Sequence, residues 1–412
     1  MMVMLKKWSD VLTIVSGKNQ KLVTDPNGRY PIYGSGGVMG YARSYLCEAG
    51  TTIVGRKGTI NNPIFVNEPF WNVDTAFGIS PGDELHPKYL YYFCCSFNFK
   101  ELDKSTTIPS LAKRDLLQIQ MPVPHLNEQE RIVSKIEELF SKLDASVAEL
   151  QTAKEKLKVY RQAVLKEAFE GKLSEQWRGG HNISPQDDFL SICKQNQSFK
   201  DTSGDENEIA LDLPDTWLKV RIGDVFDVEV GATPKRSIPE YWNGDINWVS
   251  SGEVHFNTIT KTKERITESG LANSSTNLHP VGTVMLAMIG EGKTRGQAAI
   301  LNIVAAHNQN TAAILVSKTP CEPKYIYYFL LLNYENTRRV GSGNNQKALN
   351  KERVRALRFP FTSFEEQRVI VERIESRLSI CDSVEQTIDT SLQQAEALRQ
   401  SVLNQAFEGR LV

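Results

Sequence analysis

The chain has 412 residues, 40% hydrophobic and 24% charged, with 48 Lys+Arg against 49 Asp+Glu and a net charge of −1. Its longest apolar run, residues 325–332, is far short of the ~20 needed to cross a bilayer, and no apolar stretch follows Lys6 and Lys7 as in a signal peptide. Membrane, secreted, collagen-like and disordered classes are therefore excluded. The six cysteines form no C-x-x-C pair, which fits reduced thiols in a cytoplasmic protein and neither a disulfide frame nor a metal site.

Taken in chain order, residues 1–126 read as a first mixed α/β globule. Short β-rich runs such as residues 51–54 alternate with Gly, Asn and Pro, and a helix is expected over residues 87–98. A first long spacer helix occupies residues 127–178. Ile136, Leu143, Leu150, Leu157 and Val164 repeat every seven residues, and a second row of Ile132, Leu139, Ser146, Ala153 and Tyr160 interleaves to make a seam. From Glu128 to Phe169 the helix would extend about 63 Å, with Gly171 ending it. Residues 179–216 hold eight acids against two lysines and few apolar groups, the signature of a solvated acidic linker. A second mixed globule spans 217–364, with β-rich runs at 281–289 and 312–316 and a helix at 323–333. A second long helix covers 365–412, its rows being Ile374, Cys381, Ile388, Ala395, Val402 and Ile370, Arg377, Val384, Ser391, Leu398.

The chain is a tandem duplication. Residues 122–173 align without gaps on residues 360–411 with 19 identities in 52 positions, including Glu128-Gln129 with Glu366-Gln367 and Ala168-Phe-Glu-Gly171 with Ala406-Phe-Glu-Gly409. The globules upstream are less alike. An amphipathic helix of such length would leave its seam in water, so the two copies are expected to pack as an intramolecular antiparallel coiled coil, pairing between two chains being the other arrangement the seam allows. The resulting fold class is α+β: two mixed globules separated by two long helices, with pseudo-twofold symmetry.

Charge is segregated along the chain. The first globule carries 13 Lys+Arg and 10 Asp+Glu, and the second 18 and 12, whereas the second helix carries 5 and 9. Basic globules suit a polyanion. Residues able to touch phosphates or read base edges cluster on polar turns: Arg56, Lys57, Asn61, Asn62, Thr106, Thr107 and Lys113 in the first globule. In the second they are Lys235, Arg236, Lys293, Arg295, Gln297, Arg338, Arg339, Asn344, Asn345, Gln346 and Lys347.

Catalytic patterns fail on inspection. Residues 287–294 (Ala-Met-Ile-Gly-Glu-Gly-Lys-Thr) imitate a P-loop, but residues 280–301 read as a hairpin, where a nucleotide site needs strand, loop and helix. The loop Gly34-Ser-Gly-Gly37 lacks dinucleotide spacing, and the six histidines suggest no metal site. The chain is not expected to be an enzyme. A P-loop-like nucleotide-binding protein and a coiled-coil scaffold without DNA specificity stay open as other readings.

Both helices begin after Pro with Glu-Gln and an Ile/Val pair, and both end in Arg-Gln-(Ala/Ser)-Val-Leu, then Ala-Phe-Glu-Gly-(Lys/Arg)-Leu; the first continues into Ser174-Glu-Gln-Trp-Arg178. Over essentially the whole chain this closely resembles the specificity subunit of type I restriction–modification systems. The resemblance implies two target recognition domains, each reading one half of an asymmetric bipartite site on double-stranded DNA. It also implies two modification (adenine methyltransferase) subunits docked along the helices, and restriction subunits joining them. S-adenosylmethionine, ATP and Mg would then belong to those partners, with no cofactor on this chain. Equivalent major-groove faces recur about every 34 Å, so the helices would set the spacer between half-sites. Deleting one heptad from both helices is expected to change spacer length and leave the half-site sequences intact, as read by methylation mapping; altered half-sites with the old spacer would refute this.

Overall fold

The computed structural model describes residues 4–193, 209–290, 292–339 and 349–412. They form two compact units: Met1–Lys154 with Gln386–Val412, and Glu155–Glu385. In the first, Leu12–Ser16, Ala76–Pro81, Thr51–Gly55 and Ile64–Val66 lie in that order in an antiparallel sheet. A three-stranded sheet centred on Tyr30–Gly34 and a two-stranded ribbon of Leu5–Lys7 with Gln120–Pro122 complete it. The second unit repeats the plan: Val228–Val230, Thr311–Ile314, Val284–Ala287 and Ala298–Leu301 follow in the same order, with Asn257–Ile259 added at the edge. The expected short helices appear as Pro87–Ser96 and Pro323–Leu332.

The long helices are Leu126–Phe169 and Phe364–Phe407, 44 residues each, so about 66 Å. Each stops at a left-handed glycine, Gly171 at φ +69° and Gly409 at φ +71°. Lys172 N–H donates to Glu167 O and Arg410 N–H to Gln405 O, at 2.9 and 2.8 Å, which satisfies carbonyls that a helix end otherwise leaves orphaned.

Helix segments pair antiparallel within each unit. In the first, Asp144 pairs with Arg399 and, ten residues on, Lys154 pairs with Asp389, ten residues back. In the second, Arg161 pairs with Asp382 and Glu385, and Glu167 with Arg377. Arg377, the charged member of its row, has its guanidinium 2.9 Å from Glu167 on the facing helix.

The seam itself differs from expectation. The row Ile136, Leu143, Leu150, Leu157, Val164 is inward, but Tyr160, Val384 and Leu398 are 46, 42 and 50% exposed and Ser146 is exposed. The inward companion row is Phe140, Val147, Lys154, Arg161 and Ala168. A helix at 3.6 residues per turn drifts away from a 3.5-residue repeat, so the four-residue step displaces the three-residue step. Lys154 and Arg161 lay aliphatic stems along the seam and carry their charges out to carboxylates.

Each globule fastens to the helix pair by the same contacts. In the first unit Gln129 accepts from His86 N–H at 2.8 Å and donates to Pro124 O at 2.8 Å. The Tyr89 hydroxyl donates to Pro122 O, and Lys88 pairs with Glu137. In the second, Gln367 accepts from Glu322 N–H at 3.1 Å and donates to Thr362 O at 2.9 Å, Tyr325 donates to Pro360 O, and Lys324 pairs with Glu375. The aromatic of each Ala-Phe-Glu-Gly motif then closes the core: Phe407 packs against Tyr89 and Phe93, and Phe169 against Tyr325 and Phe329. Each globule thus receives the helix end belonging to the other repeat.

Against the expectation of a solvated linker, the described residues of 179–216 are docked on the second unit. Pro185–Ile192 is a helix capped by Ser184, and Phe189, Ile192, Ile209, Leu211 and Leu213 pack on the second unit's core; residues 194–208 lie outside the described residues. Its apolar residues recur too sparsely to register as a helix in the sequence.

Truncating Phe169, fully buried, to Ala is expected to cost about 3–5 kcal/mol in denaturant unfolding, more than Phe407→Ala, because Phe407 is only partly buried. Equal effects would contradict this packing. A second prediction concerns the buried pair His279 and His307, whose Nε2 atoms are 3.1 Å apart, with His307 Nδ1 2.7 Å from the Thr311 hydroxyl. Burial and then His279 pull His307 down to about 3, and burial lowers His279. The unfolded chain protonates near 6.5 while the fold resists, so this stability is complete above pH 6.5 and drains as pH falls toward 3. The wild type should lose up to about 1.4 kcal/mol per pH unit more steeply than His307→Asn across that window; parallel stability–pH curves would refute it.

Candidate nucleic-acid interface

In the first unit two polar turns are brought together. Lys57 bridges to Ser110 in β pairing, Gly58 N–H donates to Pro109 O at 2.9 Å, and Leu111 N–H to Arg56 O at 2.9 Å. Asp103 organises the second turn, accepting from Ser105 N–H at 3.0 Å, Ser105 Oγ at 2.6 Å and Ser110 N–H at 3.0 Å; these donors hold its carboxyl below the usual range. Thr106 and Thr107 are thereby presented to solvent beside Lys57. Arg56 is partly committed, donating to Asp74 O at 3.3 Å and lying over Phe77.

Other first-unit candidates do structural jobs. Asn61 Oδ1 accepts from Phe99 N–H at 2.7 Å, and Lys113 Nζ donates to Ile14 O at 2.7 Å. Asn62 is exposed. The glycine-rich loop Gly34-Ser-Gly-Gly37 is not among the contacts expected from the sequence. It is the tip of the hairpin Tyr30–Gly34 with Gly37–Ala42, its Ser35 side chain flanking Gly55 and Gly58. Met39 and Tyr41 on that hairpin are 63 and 48% exposed. Only the glycine turn between β-rich runs could have signalled it.

In the second unit Lys293, Arg295 and Arg338 converge. The P-loop-like residues form the turn of an antiparallel hairpin between Val284–Ala287 and Ala298–Leu301, with Gly290 at φ +146° and Gly296 at φ +85°. Arg295 Nη2 donates to Arg338 O at 2.6 Å, Arg338 Nη2 to Gly292 O at 2.9 Å and the Tyr334 hydroxyl to Lys293 O at 2.5 Å. These bonds pin the turn onto the helix Tyr334–Arg339 and leave the Lys293 side chain exposed. Gln297 closes the turn, its N–H on Thr294 O at 3.0 Å.

Lys235 and Arg236 stand apart. Lys235 is exposed, whereas Arg236 stacks over Trp242 with its guanidinium carbon 4.0 Å from the ring centroid. It forks onto both oxygens of Glu264, which raises the Arg236 pKa and lowers that of Glu264. The Arg339 side chain, Asn344, Asn345, Gln346 and Lys347 lie outside the described residues.

The family described as the type I restriction modification DNA specificity domain matches residues 3–155 and 214–394. The specificity subunit of the Escherichia coli type I restriction enzyme EcoBI is 25% identical over 373 residues, 87% of this chain and 73% of that protein. Its EcoDI counterpart, also from Escherichia coli, is 22% identical over 98% of this chain and 87% of its own length. A solved structure described as the structural basis of complex assembly and conformational transition of the type I R-M system aligns with a TM-score of 0.71 at 16% identity, covering 99% of this chain and 98% of that one. The HsdS subunit from Thermoanaerobacter tengcongensis aligns at 0.55 and 16%, over 99% and 97%. With two copies of the matching domain on a shared helical frame, the chain belongs to the type I restriction modification DNA specificity family, whose members are non-catalytic specificity subunits.

Proposed function

We propose that this chain reads an asymmetric bipartite target on double-stranded DNA, one half-site per globule, and brings modification and restriction subunits to it. The observation that carries the reading is a contrast within each unit: the latch to the helices is duplicated group for group, while the polar turns are not. A duplicated frame with diverged readers suits two different half-sites. Residues 1–126 and 217–364 act as the target recognition domains, 127–178 and 365–412 as the spacer helices, and 179–216 as the connection. Two modification subunits dock along the helices and supply S-adenosylmethionine chemistry; restriction subunits supply ATP- and Mg-dependent steps, all in the cytoplasm.

The candidates divide by how far their polar groups are already used. Lys57, Lys235 and Lys293, exposed on turns, neutralise phosphates. Asn62, Thr106, Thr107 and Gln297 contact bases, with Arg339, Asn344, Asn345, Gln346 and Lys347 contributing in the second globule. Arg56, Asn61, Lys113, Arg236, Arg295 and Arg338 hold the reading turns in shape.

Reconstitution with a modification subunit and methylation mapping test this. Lys57→Ala and Lys293→Ala should each weaken DNA binding across sequences and lower the salt slope by about one. Gln297→Ala should relax one position of one half-site, a loss of about 1–3 kcal/mol of discrimination. Relaxation in both half-sites, or in neither, would overturn the assignment.

A further inference from the structure

Two copies of one helix start give an internal comparison. In the second unit Glu366 is fully buried, and its carboxylate is held by Ser174 Oγ at 2.7 Å, Arg178 Nη1 at 2.6 Å, Trp217 Nε1 at 3.0 Å and the Thr362 hydroxyl. Its counterpart Glu128 opens the first long helix, and the neighbouring Gln129 and Gln367 make the same backbone latch, so the two carboxylates leave equivalent backbone. Around Glu128 the described residues supply no such set of donors. Pro124 stands where Thr362 does, and among the described residues no hydrogen bond or ion pair reaches the Glu128 carboxylate.

A cavity of about 680 Å³ opens there. Asp83, Glu84, Glu128 and Lys6 line it, with Val123 and Leu126 as apolar wall. Lys6 is already paired with Glu84, which leaves two carboxylates uncompensated and a field that favours a cation. An unpaired carboxylate beside apolar surface is the complement of a guanidinium on an apolar stem. Elsewhere in this molecule the equivalent carboxylate holds that group, Arg178, whose guanidinium also lies over the Trp217 ring at 5.8 Å.

We propose that this pocket binds an arginine-bearing segment of a partner polypeptide, seating its guanidinium on Glu128 as Arg178 is seated on Glu366. The site goes beyond DNA reading and does not depend on it, since an acidic wall repels a phosphate backbone.

The probe is a peptide of this chain's own residues 172–180, Lys-Leu-Ser-Glu-Gln-Trp-Arg-Gly-Gly, titrated calorimetrically into the full-length protein. Saturable binding is expected, weakened about tenfold or more by Glu128→Gln and equally by replacing the peptide's arginine with glutamine. Asp83→Asn should give a smaller loss, and both protein variants should keep wild-type melting temperature and DNA affinity. No saturable binding, or binding indifferent to Glu128→Gln, would overturn the proposal. So would free arginine binding as tightly as the peptide, which would make the pocket a simple cation site.

Discussion

The structure depends on one exchange of burial: the aromatic at the end of each long helix enters the core of the globule that the other repeat supplies. Phe169 lies between Tyr325 and Phe329, and Phe407 between Tyr89 and Phe93. An aromatic side chain buries more apolar surface than almost any other, and no segment of the same repeat takes its place. The globules therefore complete their cores only when both helices run their full length. Pairing the helices within one chain, one of two arrangements compatible with the seam, follows from that closure.

Around the aromatic plug, polar contacts set the geometry. Gln129 and Gln367 each satisfy a backbone N–H that opens a short helix and a carbonyl preceding a long one, so the angle between globule and rod is fixed by hydrogen bonds with little slack. Buried backbone groups need such partners, and a shorter side chain could not span both. The same logic explains where the halves diverge. Glu366 is surrounded by donors because the chain beyond Phe169 folds back over it, whereas Glu128 remains half open.

Much of this was legible in the sequence because duplication repeats what packing requires. Asp144 and Asp382, Arg161 and Arg399, Gln129 and Gln367, Phe169 and Phe407 are identical between copies, and each proves to be a contact between segments distant in sequence. The helix ends were readable from Gly171 and Gly409, and the P-loop imitation from its hairpin context. The interface was less readable. Asn61, Lys113 and Arg236 have the residue types that contact nucleic acid, yet each already engages a neighbour: Phe99, Ile14 and Glu264 respectively. Residue type reveals what a side chain can donate; only the fold shows which acceptor reaches it first. The docked helix Pro185–Ile192 escaped notice for a related reason: acidic composition masked Phe189 and Ile192.

The seam carries the last consequence. Apolar rows alone tolerate sliding, since one heptad of Leu and Ile resembles the next. Charged pairs across the seam do not. Asp144 meets Arg399 and Glu167 meets Arg377, and a slip by one heptad would set Asp144 opposite Leu392 or Ala406 and Glu167 opposite Ile370 or Val384. Exposed ion pairs contribute little stability, about 0–1 kcal/mol each, so their value here lies in register, as polar residues at seam positions set register in coiled coils. Register matters because each aromatic plug reaches its globule only at one alignment of the rods. The weak charges of the middle thus decide whether the strong burial at the ends can form.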